Sequence, residues 1–472
     1  MSKYLDLDIK EINKLLKSKK IKPVDLVKEA LDNIKSHEEY NNYITINKNA
    51  IKEAQELEKR EVDNLLFGIP IAIKDNIVTK GMRTTCGSKM LKDYVSLFDA
   101  TVVEKIKEKG MIIIGKTNMD EFAFGSTSES SFFGKSLNPS DKERVPGGSS
   151  GGSASTVGLH DLFCAIGSDT GGSIREPSSF CGTVGMKPTY GRVSRYGLVT
   201  FASSFDQIGT ITRDVYTNAL LLEAISGQDK KDLTSFKKER DFLKNIDKDI
   251  KGLKIGIIPS LINCDSMDDT IKKRFYEIVD KLKKKGVSVK EVEIKYLNLS
   301  YLLYQILAYG EASSELLKFD GIRYGYHYDE TNDINELYVK TREEGFGEEV
   351  KRRIMKGTFV LHGENIDKYY KKALRLRKEI QDSFFKAFDD IDLILVPTTS
   401  NIAPKLGKGM KVSQSNLNDN LVMGANLGGF PALSLPMGKK DNLPMGIQIL
   451  GNLYEEGKIY NLAYILEGCI NE

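Results

Sequence analysis

The sequence has no tryptophan and only four histidines, His37, His160, His327 and His362. None of the four lies in a recognisable catalytic motif, so a Ser-His-Asp triad has little support. Its five cysteines (Cys86, Cys164, Cys181, Cys264, Cys469) are far apart, odd in number and free of any C-x-x-C pair. This argues against a disulfide framework or a zinc site and for reduced thiols in a cytoplasmic protein. No apolar run reaches the roughly 20 residues that span a bilayer, so no membrane contact is expected. The amino-terminal stretch MSKYLDLDIKEINKLLKSKK alternates charged and apolar residues, which reads as a helix and not as a signal peptide. Charge of one sign is missing too. The 69 Lys and Arg nearly cancel the 66 Asp and Glu, leaving +3, well short of the basic excess of a dedicated nucleic-acid binder. Any nucleic acid in its biology is expected to be held by another chain.

What is present is the composition of a globular protein, 472 residues with 40% hydrophobic residues, and neither an internal repeat nor a long low-complexity tract. The first sixty residues carry apolar residues at helical spacing, with Pro23 where a helix can begin, and predict a helical flank. From Gly68 the texture changes to short apolar runs, IPIAIKDNI, MIIIGKTN and LFCAIGSD, separated by a helical stretch at 100–109. Such alternation predicts an α/β layered fold. Residues 214–370 are more charged and helical, with a strand KIGIIP at Lys254 and a long helix near 270–285, and read as an insertion or cap. Strand-like texture returns at 391–397, 432–436 and 446–451, followed by a helix from about Glu455. One continuous α/β domain over 1–472 is therefore the expectation.

Residues Gly147 to Ser155 read GGSSGGSAS, and by composition alone this is as readily a flexible linker. It is short, however, and is followed by a second small-residue turn, SDTGGSIREP at 168–177. There Thr170, Gly171 and Gly172 precede Ser173, so successive N–H groups can converge beside its hydroxyl, as an oxyanion hole requires. A serine nucleophile needs a base. With histidine disfavoured, lysine is the alternative, but at its reference pKa only about one in a few thousand is neutral at pH 7, so it must be desolvated. Lys74 ends the apolar run Ile69 to Ile73, where desolvation can act. Taken alone, a lysine at a strand end is usually solvated.

Two further motif matches are set aside. Gly110 to Thr117, GMIIIGKT, satisfies the P-loop pattern letter by letter, but its four intervening residues read as a strand and not as a glycine-rich turn. Gly147, Ser149 and Gly151 match the G-x-S-x-G elbow, but the polar segment 140–146 that leads in is no strand.

Taken together and in this order, FGIPIAIKDNI, PGGSSGGSAS and GSDTGGSIREPSSFCG resemble the amidase signature family. The resemblance implies an α/β fold with a large mixed β-sheet covered by helices on both faces. It implies Lys74 as base, Ser149 as bridging serine with a cis peptide before it, and Ser173 as the acylated serine. NMDEFAFGSTSE (118–129), the segments 187–209, 311–325 and 345–354, and LND at 417–419 extend the likeness to the tRNA-dependent amidotransferases within that family, over nearly the whole chain. This implies glutamine as substrate, with Arg353 for its α-carboxylate, Asp419 for its α-ammonium and Tyr304 closing the pocket. The loop 123–126 would lend backbone to the same pocket. Each residue has a plain alternative: Arg353 on a basic helix face, Asp419 as the cap of a helix beginning near Asn420. The resemblance further implies a heterotrimer with B- and C-type partners, Glu-tRNA(Gln) held mainly by the B-type partner, ATP and magnesium at that same partner, and no cofactor in this chain. A stand-alone amidase acting on small amides, and a scaffold with a relict signature, are the competing readings.

Overall fold

The computed structural model describes residues 3–471 and is built on one 11-stranded mixed sheet. In chain order its strands are β1 (Tyr43–Ile46), β2 (Pro70–Lys74), β3 (Ile112–Thr117), β4 (Cys164–Asp169), β5 (Val184–Lys187), β6 (Gln207–Thr212), β7 (Lys254–Ile257), β8 (Ser288–Glu291), β9 (Leu393–Pro397), β10 (Ala432–Lys440) and β11 (Leu443–Gly451). Across the sheet they run β1-β3-β2-β4-β6-β5-β10-β11-β9-β7-β8. Neighbours are parallel among β3, β2 and β4 and among β9, β7 and β8; the pairs from β4 through β9 and the β1–β3 pair are antiparallel.

Successive residues of a strand point to opposite faces, so a strand buried at every position is covered on both sides. This holds for β2, β3, β4, β6, β9 and β11. In β2, β3, β4 and β9 this shows as short continuous apolar runs rather than alternation. Ile71, Ala72 and Ile73 of β2 are fully buried, each isoleucine contributing on the order of 1.5–3 kcal/mol through lost contact with water. By contrast β8, with sequence SVKE, is the exposed edge, and its charged side chains suit that place.

The structure departs from the sequence reading in three places. The first sixty residues are not only helical: between the helices Pro23–Ser36 and Ala50–Leu57 lies β1, which pairs with β3 and closes one edge of the sheet. The segment 214–370 is not simply an insertion or cap, because β7 and β8 extend the sheet beyond β9. Its long helix runs Asp269–Lys284, and the helices Ser300–Glu315, Ile334–Gly345 and Glu348–Leu361 follow. Finally, half of the glycine-serine run is a buried helix, Gly151–Gly158. Glycine weakens helices, but here it permits close approach: a Cβ on Gly152 would lie 2.5 Å from the Asn118 carbonyl oxygen.

Candidate active site

Lys74 is the last residue of β2 and is fully buried. Its Nζ lies 2.7 Å from Ser149 Oγ, 2.8 Å from Ser150 Oγ and 2.9 Å from Ser168 Oγ, with the Ser168 carbonyl at 3.3 Å. Asn76 Nδ2 donates to Ser168 Oγ at 2.9 Å and so orients that hydroxyl. Burial pulls the Lys74 pKa down to about 7, against the opposing pull of the carboxylates Asp120, Asp169 and Asp206. A lysine in such a cage is a base near neutral pH, which an exposed strand-end lysine is not.

Ser149 follows a cis peptide bond from Gly148 and is fully buried. Glycine at 148 is required by space, since a Cβ there would meet the Asp120 carboxylate at 2.1 Å. Asp120 in turn accepts from Ser128 N–H (2.9 Å) and Ser130 Oγ (2.8 Å), and its own N–H donates to the Ser149 carbonyl at 3.4 Å. Burial holds the Asp120 carboxyl above the usual carboxylate range.

Ser173 is slightly exposed, at 7%, whereas Lys74 and Ser149 are at 0%. It joins the cluster through its backbone, its carbonyl accepting from Ser150 N–H at 3.1 Å. Among the described residues no hydrogen bond links the Ser149 and Ser173 hydroxyls. The turn before it is clamped by Asp169, whose Oδ1 accepts from Gly172 N–H at 2.8 Å and Oδ2 from Ile174 N–H at 3.2 Å. One N–H of the anticipated oxyanion set is thus committed to a carboxylate. Those of Thr170, Gly171 and Ser173 have no acceptor among the described residues. Gly172 has φ +111°, and a Cβ would lie 2.5 Å from Val422 Cγ2, so only glycine fits there.

Three helices bring Tyr304, Arg353 and Asp419 within electrostatic reach of one another, with Tyr304 against this turn. Tyr304, on Ser300–Glu315, is buried against Gly171, where a Cβ would come within 2.8 Å of its ring. Phe201, Phe205 and Tyr309 surround it edge to face. On Glu348–Leu361 the basic run splits: the Arg352 side chain is 52% exposed and Arg353 only 14%. Arg353 therefore faces inward, its guanidinium 5.0 Å from the Tyr309 ring centre and 5.5 Å from that of Phe124, with Nε 2.6 Å from Glu349 Oε1. Asp419 lies inside the helix Val412–Gly428, which rules out its alternative as the cap of a helix starting at Asn420. Burial raises its carboxyl to about 7, opposed by Arg353. Glu176 is likewise pushed up by burial, with Asp419 and Asp120 adding to the effect.

The features set aside in the sequence also have a place. Residues 112–117 of the P-loop match are β3, and Lys116 Nζ stands 3.2 Å from Asp75 Oδ1 with both side chains fully buried. Ser149 follows irregular chain, not a strand. The five cysteines are unpaired, and burial pushes the Cys86, Cys164 and Cys181 thiols well up. Among the described residues no group of three or more His, Cys, Asp or Glu could hold a metal ion, and no helix is long and apolar enough to cross a membrane. Sequence reasoning missed Ser150 and Ser168 as partners of Lys74, and Asp169, Asp120 and Phe124 as supports; the doubled serine at 149–150 and the SD pair at 168–169 were the available signals.

The chain is similar to known proteins over nearly its whole length. The family model described as Amidase matches residues 25–459. The A-type subunit of glutamyl-tRNA(Gln) amidotransferase from Persephonella marina is 47% identical over 463 residues, 96% of this chain and 95% of that one. Its counterpart from Listeria monocytogenes is 48% identical, covering 98% of this chain and 97% of its own. The crystal structure of the same amidotransferase component from Thermotoga maritima superposes with a TM-score of 0.82 at 41% identity, over 98% of this chain and 94% of that one.

Proposed function

The chain belongs to the amidase family, and from that premise we propose that it is the glutamine-hydrolysing component of a glutamyl-tRNA(Gln) amidotransferase, with Lys74, Ser149 and Ser173 as its catalytic residues. The observation that carries the chemistry is the buried Lys74 Nζ, 2.7 Å from Ser149 Oγ. Neutral Lys74 takes the proton of Ser149 as Ser149 takes that of Ser173, and Ser173 Oγ attacks the side-chain amide carbon of glutamine. The developing oxyanion is held by N–H groups of the Thr170 to Ser173 turn, principally those of Thr170, Gly171 and Ser173. Gly172 contributes by giving the turn its conformation while its own N–H is tied to Asp169. The proton returns through Ser149 to the departing nitrogen, ammonia leaves, and water on the same path releases glutamate from Ser173.

Arg353 pairs with the α-carboxylate and Asp419 with the α-ammonium of glutamine, while Tyr304 closes the pocket over Gly171. The electrostatic pull of Arg353 on the Asp419 carboxyl supports this pairing of opposite charges around one zwitterion. The near-neutral charge of the chain and the strand conformation of 112–117 support a division of labour. ATP, magnesium and most of Glu-tRNA(Gln) fall to a B-type partner, and a C-type partner completes a cytoplasmic heterotrimer.

The test is capture of the acyl-enzyme. The intact chain incubated with glutamine and quenched in acid should carry a glutamyl adduct on Ser173, lost in Ser173→Ala, and glutaminase turnover should rise when the B- and C-type partners, ATP and Glu-tRNA(Gln) are added. Broad turnover of simple amides that the partners leave unchanged would sink the proposal.

A further inference from the structure

Glu121 is 3% exposed, and its carboxylate accepts hydrogen bonds from Ser88 and Gly347, not from Lys74, Ser149 or Ser173. It sits in the loop that leaves β3, one residue after Asp120, whose N–H bonds the Ser149 carbonyl. Its carboxylate reaches across 226 positions of sequence: Oε2 accepts the backbone N–H of Gly347 at 2.9 Å. Gly347 immediately precedes the helix Glu348–Leu361 that carries Arg353. The other oxygen, Oε1, accepts from Ser88 Oγ, and Ser88 Oγ also lies 3.3 Å from the Gly345 carbonyl. A Cβ on Gly347 would stand 2.3 Å from Glu121 Oε2, so any larger residue there must displace that carboxylate.

The two residues after Glu121 strengthen the same junction. Phe122 packs on Phe346 at 5.7 Å and on Phe319 at 5.0 Å. Phe122 and Ala123 both have positive φ, +49° and +66°, a costly conformation that turns the chain so that Phe124 lies beside the Arg353 guanidinium. The loop that holds Ser149 in place and the helix that presents Arg353 are thus joined at Glu121–Gly347, Phe122–Phe346 and Phe124–Arg353. Of these, only the first is a buried hydrogen bond, the kind that fixes direction as well as distance.

We propose that Glu121 is a positioning residue that sets where Arg353 stands relative to the catalytic serines, and thereby gives the site its preference for an amide bearing an α-carboxylate. This rests on the reading of Arg353 given above. The experiment compares the full chain, wild type and variant, on glutamine and on 4-aminobutanamide, which is glutamine without its α-carboxylate. Glu121→Ala should lower kcat/KM for glutamine by about tenfold or more, chiefly through KM, and change that for 4-aminobutanamide by less than about threefold. Glu121→Gln, which keeps an acceptor for Gly347, should recover most of the loss. Gly347→Ala breaks the contact from the other side and should reproduce the Glu121→Ala pattern, so the test survives if one variant folds poorly. Equal losses on both substrates, or none on glutamine, would overturn the proposal. Arg353→Ala serves as the reference. If it abolishes the preference while Glu121→Ala does not, only the positioning role fails; if Arg353→Ala leaves the preference intact, the reading of the pocket fails.

Discussion

Arg175 and Asp169 form a buried two-point ion pair beneath the turn that carries Ser173, Nε to Oδ2 at 3.0 Å and Nη2 to Oδ1 at 3.1 Å, with neither side chain in contact with water. Arg175 also donates to Asn426 Oδ1, Gln448 Oε1 and the Val422 carbonyl, at 2.6, 2.6 and 2.8 Å. The pair therefore locks the turn around Ser173 to the helix 412–428 that bears Asp419. Its Arg175 charge, together with Lys187, holds the Asp169 carboxyl well below the usual carboxylate range despite burial.

Removing one partner leaves the other charge buried and alone. Arg175→Leu should cost about 3–5 kcal/mol in urea unfolding and abolish activity, because the Gly172 and Ile174 N–H groups lose a fixed carboxylate. Asp169→Asn keeps the shape but weakens both N–H bonds and leaves Arg175 without its counter-charge, so it too should lose stability. It should lower kcat by about 10²-fold while leaving KM for glutamine nearly unchanged, since it touches the turn and not the pocket. A raised KM with kcat preserved would contradict the assignment.

Lys74 sets function against stability. Its folded pKa lies near 7, below the ordinary 10.5, so between these values the unfolded chain binds a proton that the folded chain does not. The folded state is penalised fully below pH 7, and stability is regained as pH rises toward 10.5. Lys74→Met should therefore be inactive yet unfold at higher urea than wild type at pH 7, by on the order of 1–4 kcal/mol, a gain that shrinks as pH rises. Parallel urea titrations at pH 7 and pH 9.5 check both sign and slope. A variant less stable than wild type at pH 7 would show that the three serine hydroxyls need the lysine more than its burial costs.

How much of this is legible in the sequence follows from range. Strands β2, β3 and β4 announce themselves because strands buried on both faces are unbroken apolar runs, and Lys74 is visible at the end of one. Strands β1, β5 and β6 carry no such signal: YITI is four residues long, and VGMK and QIGTIT mix glycine, threonine and polar residues whose partners lie elsewhere in the chain. The same holds at the site. The inward turn of Arg353 depends on which helix face meets Tyr309, and the Glu121–Gly347 bond spans 226 residues, so no local pattern encodes either. The glycine-serine run is assignable only through likeness, since composition does not separate a linker from a packed helix.

Gly172→Ala tests the turn independently of charge. Its φ of +111° and the 2.5 Å approach of Val422 Cγ2 strain any side chain. The variant should lose about 10²-fold or more in kcat, and pairing it with Val422→Ala should relieve the crowding without restoring full activity, because the dihedral strain remains. Stopped assays with glutamine on the single and double variants suffice. Full rescue by Val422→Ala would assign the defect to crowding alone.

The acid limb of the pH profile carries two residues at once. In the proposed mechanism the free enzyme needs Lys74 neutral to act as base and Asp419 ionised to hold an ammonium, and burial moves both toward about 7. Both requirements are met above that pH and lost below it. Since kcat/KM reports free-enzyme ionisations, its logarithm for glutamine should fall below pH 7 with a slope approaching two. Asp419→Asn removes one ionisation: KM should rise by about 10–100-fold at pH 8, and the acid slope should drop to about one. The remaining step belongs to Lys74 and should persist with a substrate that has no α-ammonium. A wild-type slope of one with glutamine would mean that only one of the two groups titrates in this range.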